Sequence, residues 1–221
     1  MKNKIKIAPS ILASNFSILG KEINDISKAG ADYIHFDIMD GHFVPNITFG
    51  PDTIKHLRKF SKKTFDTHLM IKQVDKFLLP FIKAGSDIIS FHPETVKNVN
   101  KTIKTIKSHK KKVGLVINPN ISEKKVFPYL KKIDLVLIMT VYPGFGGQKF
   151  LNNQLRKIKK IRKKIDNEKL NIDIEVDGGI NEKNAKKVIE AGATILVAGT
   201  SCFKKGKKFY KKNIENLKNS F

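Results

Sequence analysis

One pattern recurs eight times along this chain: a short run rich in β-branched residues, then a longer lysine-rich stretch of helical period. The runs lie near Ile5–Ala8, Tyr33–Asp37, Thr64–His68, Asp87–Ser90, Lys112–Ile117, Leu135–Met139, Asp173–Val176 and Thr194–Val197. Between them stand helical candidates. In the first, Leu19, Ile23 and Ile26 recur every three to four residues and line one face; Leu155, Ile158, Ile161 and Ile165 do the same in the sixth. Several helices are expected to stop at an Ala-Gly pair just before the next strand, at Ala29-Gly30, Ala84-Gly85 and Ala191-Gly192. Parallel strands joined by helices form either an open doubly wound sheet or a closed barrel. Eight units in 221 residues leave no room for a second domain. The expectation is therefore one α/β domain over residues 1–221, a single (β/α)8 TIM barrel with its chemistry at the C-terminal ends of the strands.

Lys plus Arg number 43 against 20 Asp plus Glu, a net charge of +23. Such a charge raises the question of a nucleic-acid partner. The basic residues, however, are spread over helix-like stretches such as Lys101–Lys112, Lys157–Lys164 and Lys204–Lys212. That distribution reads as solvated helix faces. No aromatic-rich single-strand platform or helix-turn-helix signal accompanies them, so no nucleic-acid partner is expected. The positive field still draws anionic substrates within about 8 Å at physiological salt. No apolar run approaches the roughly 20 residues needed to span a bilayer. The opening Lys2-Asn3-Lys4-Ile5-Lys6-Ile7 passes at once into strand-like alternation, with no secretory signal visible. The single cysteine, Cys202, excludes an intrachain disulfide and agrees with a reducing, cytoplasmic compartment.

The second strand reads His35-Phe36-Asp37-Ile38-Met39-Asp40-Gly41-His42. Residues two apart on a strand point to the same side, so His35 and Asp37 converge near the barrel mouth if that side is the interior. The third strand ends Asp66-Thr67-His68-Leu69-Met70 and the seventh Glu175-Val176-Asp177-Gly178-Gly179, bringing His68 and Asp177 to the same level. Two histidines and two aspartates at strand ends make a nitrogen/oxygen site for one divalent cation: zinc, iron(II), manganese or cobalt. His92, closing the fourth strand, is a candidate to stand behind these residues or against substrate. His42 belongs to the second loop in an orienting or structural role. His56 and His109 sit in helical segments and face solvent.

A second constellation suits phosphate. The sixth strand leads into Pro143-Gly144-Phe145-Gly146-Gly147-Gln148, the seventh ends in Gly178-Gly179, and the eighth runs Val197-Ala198-Gly199-Thr200-Ser201. Glycines let backbone N–H groups approach an anion closely. In barrels the loops after the last two strands, with a short extra helix, commonly hold a phosphate; here Ser201-Cys202-Phe203 would open that helix.

Three stretches then identify a family: Ala8 to Ala13, His35 to Asn46, and Thr140 to Phe150. Together with His68 to Met70, Val176 to Ile180 and Val197 to Ser201, they resemble the ribulose-phosphate 3-epimerase family over essentially the whole chain and in order. The resemblance implies that His35, Asp37, His68 and Asp177 hold one divalent metal, usually zinc or iron, and that Asp37 and Asp177 form the acid/base pair. It implies substrate contacts from Ser10, His68 and Asp177, and a phosphate end lined by Gly144, Phe145, Gly146, Gly147, Gly178, Gly179, Gly199 and Thr200. It also implies a homo-oligomer, dimeric or hexameric. Departures are small: Thr67 stands where the family often has an aliphatic residue, and Thr200-Ser201-Cys202 replaces a more usual Ser-Ala pairing.

Inverting a carbinol carbon beside a ketone requires a base on one face and an acid on the other. Strands two and seven lie three steps apart on an eight-strand ring, so Asp37 and Asp177 can face each other. Asp37 is expected to abstract the C3 proton and Asp177 to return one. A cation there acts as a Lewis acid on the C2 carbonyl and the enediolate. Met39, Met70 and Met139 also fall at strand ends, as barrel-top packing or as an apolar wall around a planar intermediate. The expected reaction is epimerisation of D-ribulose 5-phosphate and D-xylulose 5-phosphate in the non-oxidative pentose phosphate pathway. The alternative within enzymes is a six-carbon ketose phosphate such as allulose 6-phosphate. A metal-free decarboxylase or aldolase on the same scaffold would want a lysine at a strand end, and the lysine-rich stretches fall in helices or loops.

Overall fold

A computed structural model describes residues 5–220. The opening Lys2-Asn3-Lys4 lies outside the described residues. Eight strands appear: β1 (Lys6–Pro9), β2 (Tyr33–Met39), β3 (Thr64–Met70), β4 (Ile88–Phe91), β5 (Lys112–Ile117), β6 (Leu135–Met139), β7 (Asp173–Asp177) and β8 (Ile195–Ala198). All pair in parallel, in the order β1-β8-β7-β6-β5-β4-β3-β2. The ring closes between β1 and β2, where Ser10 bridges His35 and the Asp32 N–H donates to the Ile7 carbonyl at 3.0 Å. The barrel expected from the eightfold pattern is the fold observed.

Each strand is buried on both faces, and its alternation divides the core in two. Outward-pointing Ile34, Phe36 and Ile38 of β2 join the layer between sheet and helices, with Ile23 and Ile26 of α1 (Leu19–Lys28) and Ile54 of α2 (Pro51–Leu57). Inward-pointing Leu135, Leu137 and Met139 of β6 pack with Tyr33, Ile88, Val116, Ile195 and Val197 inside the barrel. At the mouth Met39 and Met70 pack with Val44. The remaining helices are α3 (Val74–Ala84), α4 (Val99–Ser108), α5 (Gln154–Asn167), α6 (Ala185–Glu190), α7 (Thr200–Phe203) and α8 (Tyr210–Lys218). Ile158, Ile161 and Ile165 are fully buried on α5. Gly85 ends α3 in the left-handed conformation, φ +105°, which glycine adopts without steric cost. Between β5 and β6 the helical period yields only two short 3₁₀ segments, Glu123–Lys125 and Phe127–Lys132. Pro128 stands in the first turn of the second, where a missing N–H leaves no intrahelical bond unmade.

The closed end of the barrel is pinned by a device repeated four times. The N–H groups of Ile7, Phe65 and Val113 donate to the carboxylates of Asp32, Asp87 and Asp134, each at 2.9 Å, and Ile174 donates to the Thr194 hydroxyl at 3.0 Å. In return the N–H of each of these four polar residues donates to the carbonyl of the same strand residue, at 2.8–3.0 Å. Every even-numbered strand is therefore clasped to its odd-numbered predecessor just before it begins. No helix among the described residues is long and apolar enough to cross a membrane.

Candidate active site

The ladder register sets the levels of the polar side chains. His35 pairs with Asp66, Asp37 with His68, and Met39 with Met70 between β2 and β3; Met139 pairs with Asp177 between β6 and β7. All point inward at the open end, and four of the sequence candidates meet there. The Asp37 Oδ1 atom lies 3.5 Å from His35 Nε2 and 3.5 Å from His68 Nδ1, and His68 Nδ1 lies 3.9 Å from Asp177 Oδ2. One ligand atom from each of His35, Asp37, His68 and Asp177 lies within 4.8 Å of the others. His35 Nε2 and His68 Nδ1 are buried and have no hydrogen-bond partner. Around a tetrahedral zinc with ligand distances of about 2.0–2.1 Å, ligand atoms stand roughly 3.3 Å apart. The spacing and the two nitrogens without a hydrogen-bond partner fit a divalent cation.

Behind these residues lies a second layer: His92, a sequence candidate for this place, with Asp66 and Glu175, which the sequence reading left without a role. His35 Nδ1 is 2.6 Å from Asp66 Oδ2 and 3.8 Å from Glu175 Oε1, all three side chains being fully buried. The ring of His68 stacks on His92 with centroids 5.1 Å apart, and their Nε2 atoms share a hydrogen bond of 2.9 Å. His92 thus stands behind the ligands rather than in the wall, and Phe43 packs against it with ring centroids 4.6 Å apart. A parity rule would have found the missed pair: Asp66 is two residues before His68 and Glu175 two before Asp177, as His35 is two before Asp37. His42, His56 and His109 are exposed; His42 Nδ1 turns back to the Asp40 carbonyl at 2.9 Å.

Electrostatics separates the two mouth carboxylates. Burial raises the pKa of Asp37, but the charges of His35 and His68 outweigh it and hold the group well below the carboxylate range. Burial and the Asp37 charge push Asp177 up to about 7. His35 is held well above the usual imidazole value because Asp66 and Asp37 overcome its desolvation, whereas burial takes His92 well below. Glu175 is driven well above its usual range by burial and by the neighbouring Asp66.

In front of the cluster opens a cavity of about 690 Å³. Ser10, Asp37, Met39, Met70, Met139 and Asp177 form its floor and sides, and Gly144–Gly147, Gly178–Gly179, Gly199 and Thr200 one end. His35 and His68 are fully buried and lie outside this wall; they reach the site only through their inner nitrogens. Among the described residues no lysine or arginine lines the cavity, so an anion at the glycine end meets backbone and hydroxyl groups. Gly178 and Gly179 have φ of +118° and +68°, and a Cβ on Gly179 would stand 2.6 Å from the Phe150 nitrogen. The loop after β6 is held by side-chain amides: Gln148 Nε2 donates to the carbonyls of Tyr142 (2.7 Å) and Phe145 (2.9 Å), and Asn46 Nδ2 to that of Gly144 (2.7 Å).

Comparison with known proteins agrees with this geometry. The chain is 46% identical to ribulose-phosphate 3-epimerase of Bacillus subtilis over 217 residues, covering 98% of this chain and 99% of that one. It is 45% identical to the chloroplastic ribulose-5-phosphate-3-epimerase of Arabidopsis thaliana (99% and 78% covered) and 42% identical to ribulose-phosphate 3-epimerase of Escherichia coli K12 (96% and 94%). Among solved structures, 3-hexulose-6-phosphate synthase from Salmonella typhimurium superposes with a TM-score of 0.71 over 98% of each chain at 16% identity, a likeness of fold alone. The sequence profile of the ribulose-phosphate 3 epimerase family matches residues 6–203, and the chain belongs to that family.

Proposed function

We propose that this chain is a metal-dependent epimerase, acting as one catalytic domain that interconverts D-ribulose 5-phosphate and D-xylulose 5-phosphate at C3. The observation that carries this reading is the placement of two carboxylates, Asp37 and Asp177, on strands three steps apart at the floor of a cavity with a glycine-built end. The glycine end takes the phosphate and the floor takes the ketose carbons. Asp37 abstracts the C3 proton, Asp177 delivers a proton to the opposite face, and the roles exchange in the reverse direction. The Ser10 hydroxyl, 2.6 Å from Asp37 Oδ2, orients the base. Met39, Met70 and Met139 wall the planar intermediate and limit water. His35, Asp37, His68 and Asp177 would hold a divalent cation, zinc or iron(II) first, with manganese or cobalt as alternatives, and that ion supplies Lewis-acid stabilisation of negative charge on the C2 oxygen.

The same reading makes the protein a cytoplasmic homo-oligomer serving the non-oxidative pentose phosphate pathway; the free thiol of Cys202 suits a reducing compartment. The deciding experiment is turnover of D-ribulose 5-phosphate before and after chelation, with zinc, iron(II), manganese or cobalt then restored. Activity lost on chelation and regained with metal is the expected result. A folded protein inert with every metal overturns the substrate assignment, and allulose 6-phosphate is then the compound to try.

A further inference from the structure

The two inner histidines present different nitrogens to the cluster. His35 turns Nε2 toward Asp37, and His68 turns Nδ1. In each ring the opposite nitrogen is held from behind, by Asp66 at 2.6 Å and by His92 at 2.9 Å. The nitrogens without a partner are the two that face the cluster. We propose that Asp66 and His92 are positioning residues that dictate which ring nitrogen each histidine offers to the cation, Nε2 at His35 and Nδ1 at His68. This rests on the metal-dependent reading above.

A ring nitrogen whose proton is donated rearward keeps that proton, so the lone pair for metal lies on the other nitrogen. For His35 the acceptor is an anion, which stiffens the ring and strengthens its nitrogen as a donor. For His68 the acceptor is a second imidazole. His92 must then accept at Nε2 and carry its own proton on Nδ1, an atom that has no hydrogen-bond partner, its nearest carboxylate being Glu94 Oε1 at 3.8 Å. The cluster is thus supported by a charged group on one side and a neutral one on the other.

The rear group of His35, Asp66 and Glu175 also brings three potential ligand atoms together. The 2.6 Å between His35 Nδ1 and Asp66 Oδ2 is a hydrogen-bond separation, well short of the roughly 3.3 Å expected between two ligands of one zinc ion. A shared proton fits there and an ion does not.

The test is zinc titration of chelated protein against a competing chelator, with cobalt(II) visible spectra and ¹⁵N–¹H NMR of the zinc-loaded protein. The wild type should bind one equivalent, with the proton on Nδ1 of His35 and on Nε2 of His68. Asp66→Ala and His92→Phe should each weaken zinc binding roughly 10- to 100-fold and alter the cobalt spectrum. His92→Gln, which keeps an acceptor, should recover most of the affinity. Asp66→Asn, which keeps the acceptor and loses the charge, should fall between, and it carries the test if Asp66→Ala does not fold. Wild-type affinity and cobalt spectra in the folded variants, or protons on the reversed nitrogens, would overturn the inference. So would two equivalents of zinc of which one is lost with Asp66. A metal-dependent wild type with unaffected variants defeats the positioning role alone; a wild type that epimerises without binding metal defeats the functional reading with it.

Discussion

Ser10 and Asp37 meet across the seam on which the barrel closes: the Ser10 hydroxyl donates to Asp37 Oδ2 at 2.6 Å while the Ser10 backbone pairs with His35. The residue that helps shut the sheet also fixes the rotamer of the proposed base. A hydrogen bond to a charged group contributes about 1.5–3 kcal/mol. Ser10→Ala should therefore lower kcat/KM roughly 10- to 100-fold while the melting temperature stays within a few degrees. Steady-state kinetics beside thermal melting separates the two effects, and an unchanged kcat/KM would show that the hydroxyl does not orient the base.

Asp37 and Asp177 should fail in different ways. Asp177→Asn is expected to lower epimerisation on the order of 10²–10⁴-fold, the range for a lost general acid or base. It should still exchange the C3 hydrogen of D-ribulose 5-phosphate with solvent deuterium, because Asp37 remains to remove it. Asp37→Asn should lose exchange and epimerisation together. Proton NMR in D₂O reads both, and near wild-type turnover in Asp177→Asn would remove it from the scheme.

Gly179 is confined by backbone. A methyl group there would approach the Phe150 nitrogen at 2.6 Å and the Gln148 carbonyl oxygen at 2.8 Å, and φ is +68°. The left-handed conformation alone costs a non-glycine residue about 1–2 kcal/mol. Gly179→Ala should therefore lower the melting temperature by roughly 2–8 °C and raise KM, since the displaced segment belongs to the loop beside the cavity. A variant with wild-type melting and KM would show that this loop yields freely.

Cys202 should be silent toward thiol reagents in the native protein. It is fully buried on α7, and burial pushes its thiol up to about 12. An aromatic disulfide reagent at pH 8 should label less than a tenth as fast as it labels the unfolded chain, with release of thiol tracking denaturation. Rapid stoichiometric labelling of native protein would mean that α7 opens readily.

Much of this could be read from the chain before folding. The strand positions followed from β-branched runs, although β2 and β3 extend to Met39 and Met70 because those residues pair only with each other, across the ladder. His35, Asp37, His68 and Asp177 were legible because all four share the inward parity of their strands, with Asp177 ending β7 and Asp37 and His68 two residues before the ends of β2 and β3. Asp66 and Glu175 have the same inward parity one step deeper, and that parity is the one signal of them in the sequence, since side chains at that depth are normally apolar. The helix expected between β5 and β6 is the clear departure: a lysine-rich stretch of helical period there forms only two short 3₁₀ turns, Glu123–Lys125 and Phe127–Lys132.

The four clasps at the closed end act as a phase setter for the open end. Each fixes the residue at which an even-numbered strand begins, and five or six residues later, roughly 17–20 Å away, that same choice decides whether a side chain faces the barrel interior or the helices. A slip of one residue at Asp32 would turn His35 and Asp37 outward and bring Phe36 into the cluster. The chemistry at the mouth is therefore timed from the opposite end of the barrel, and a lesion at a clasp should silence the enzyme without touching a residue that meets the substrate.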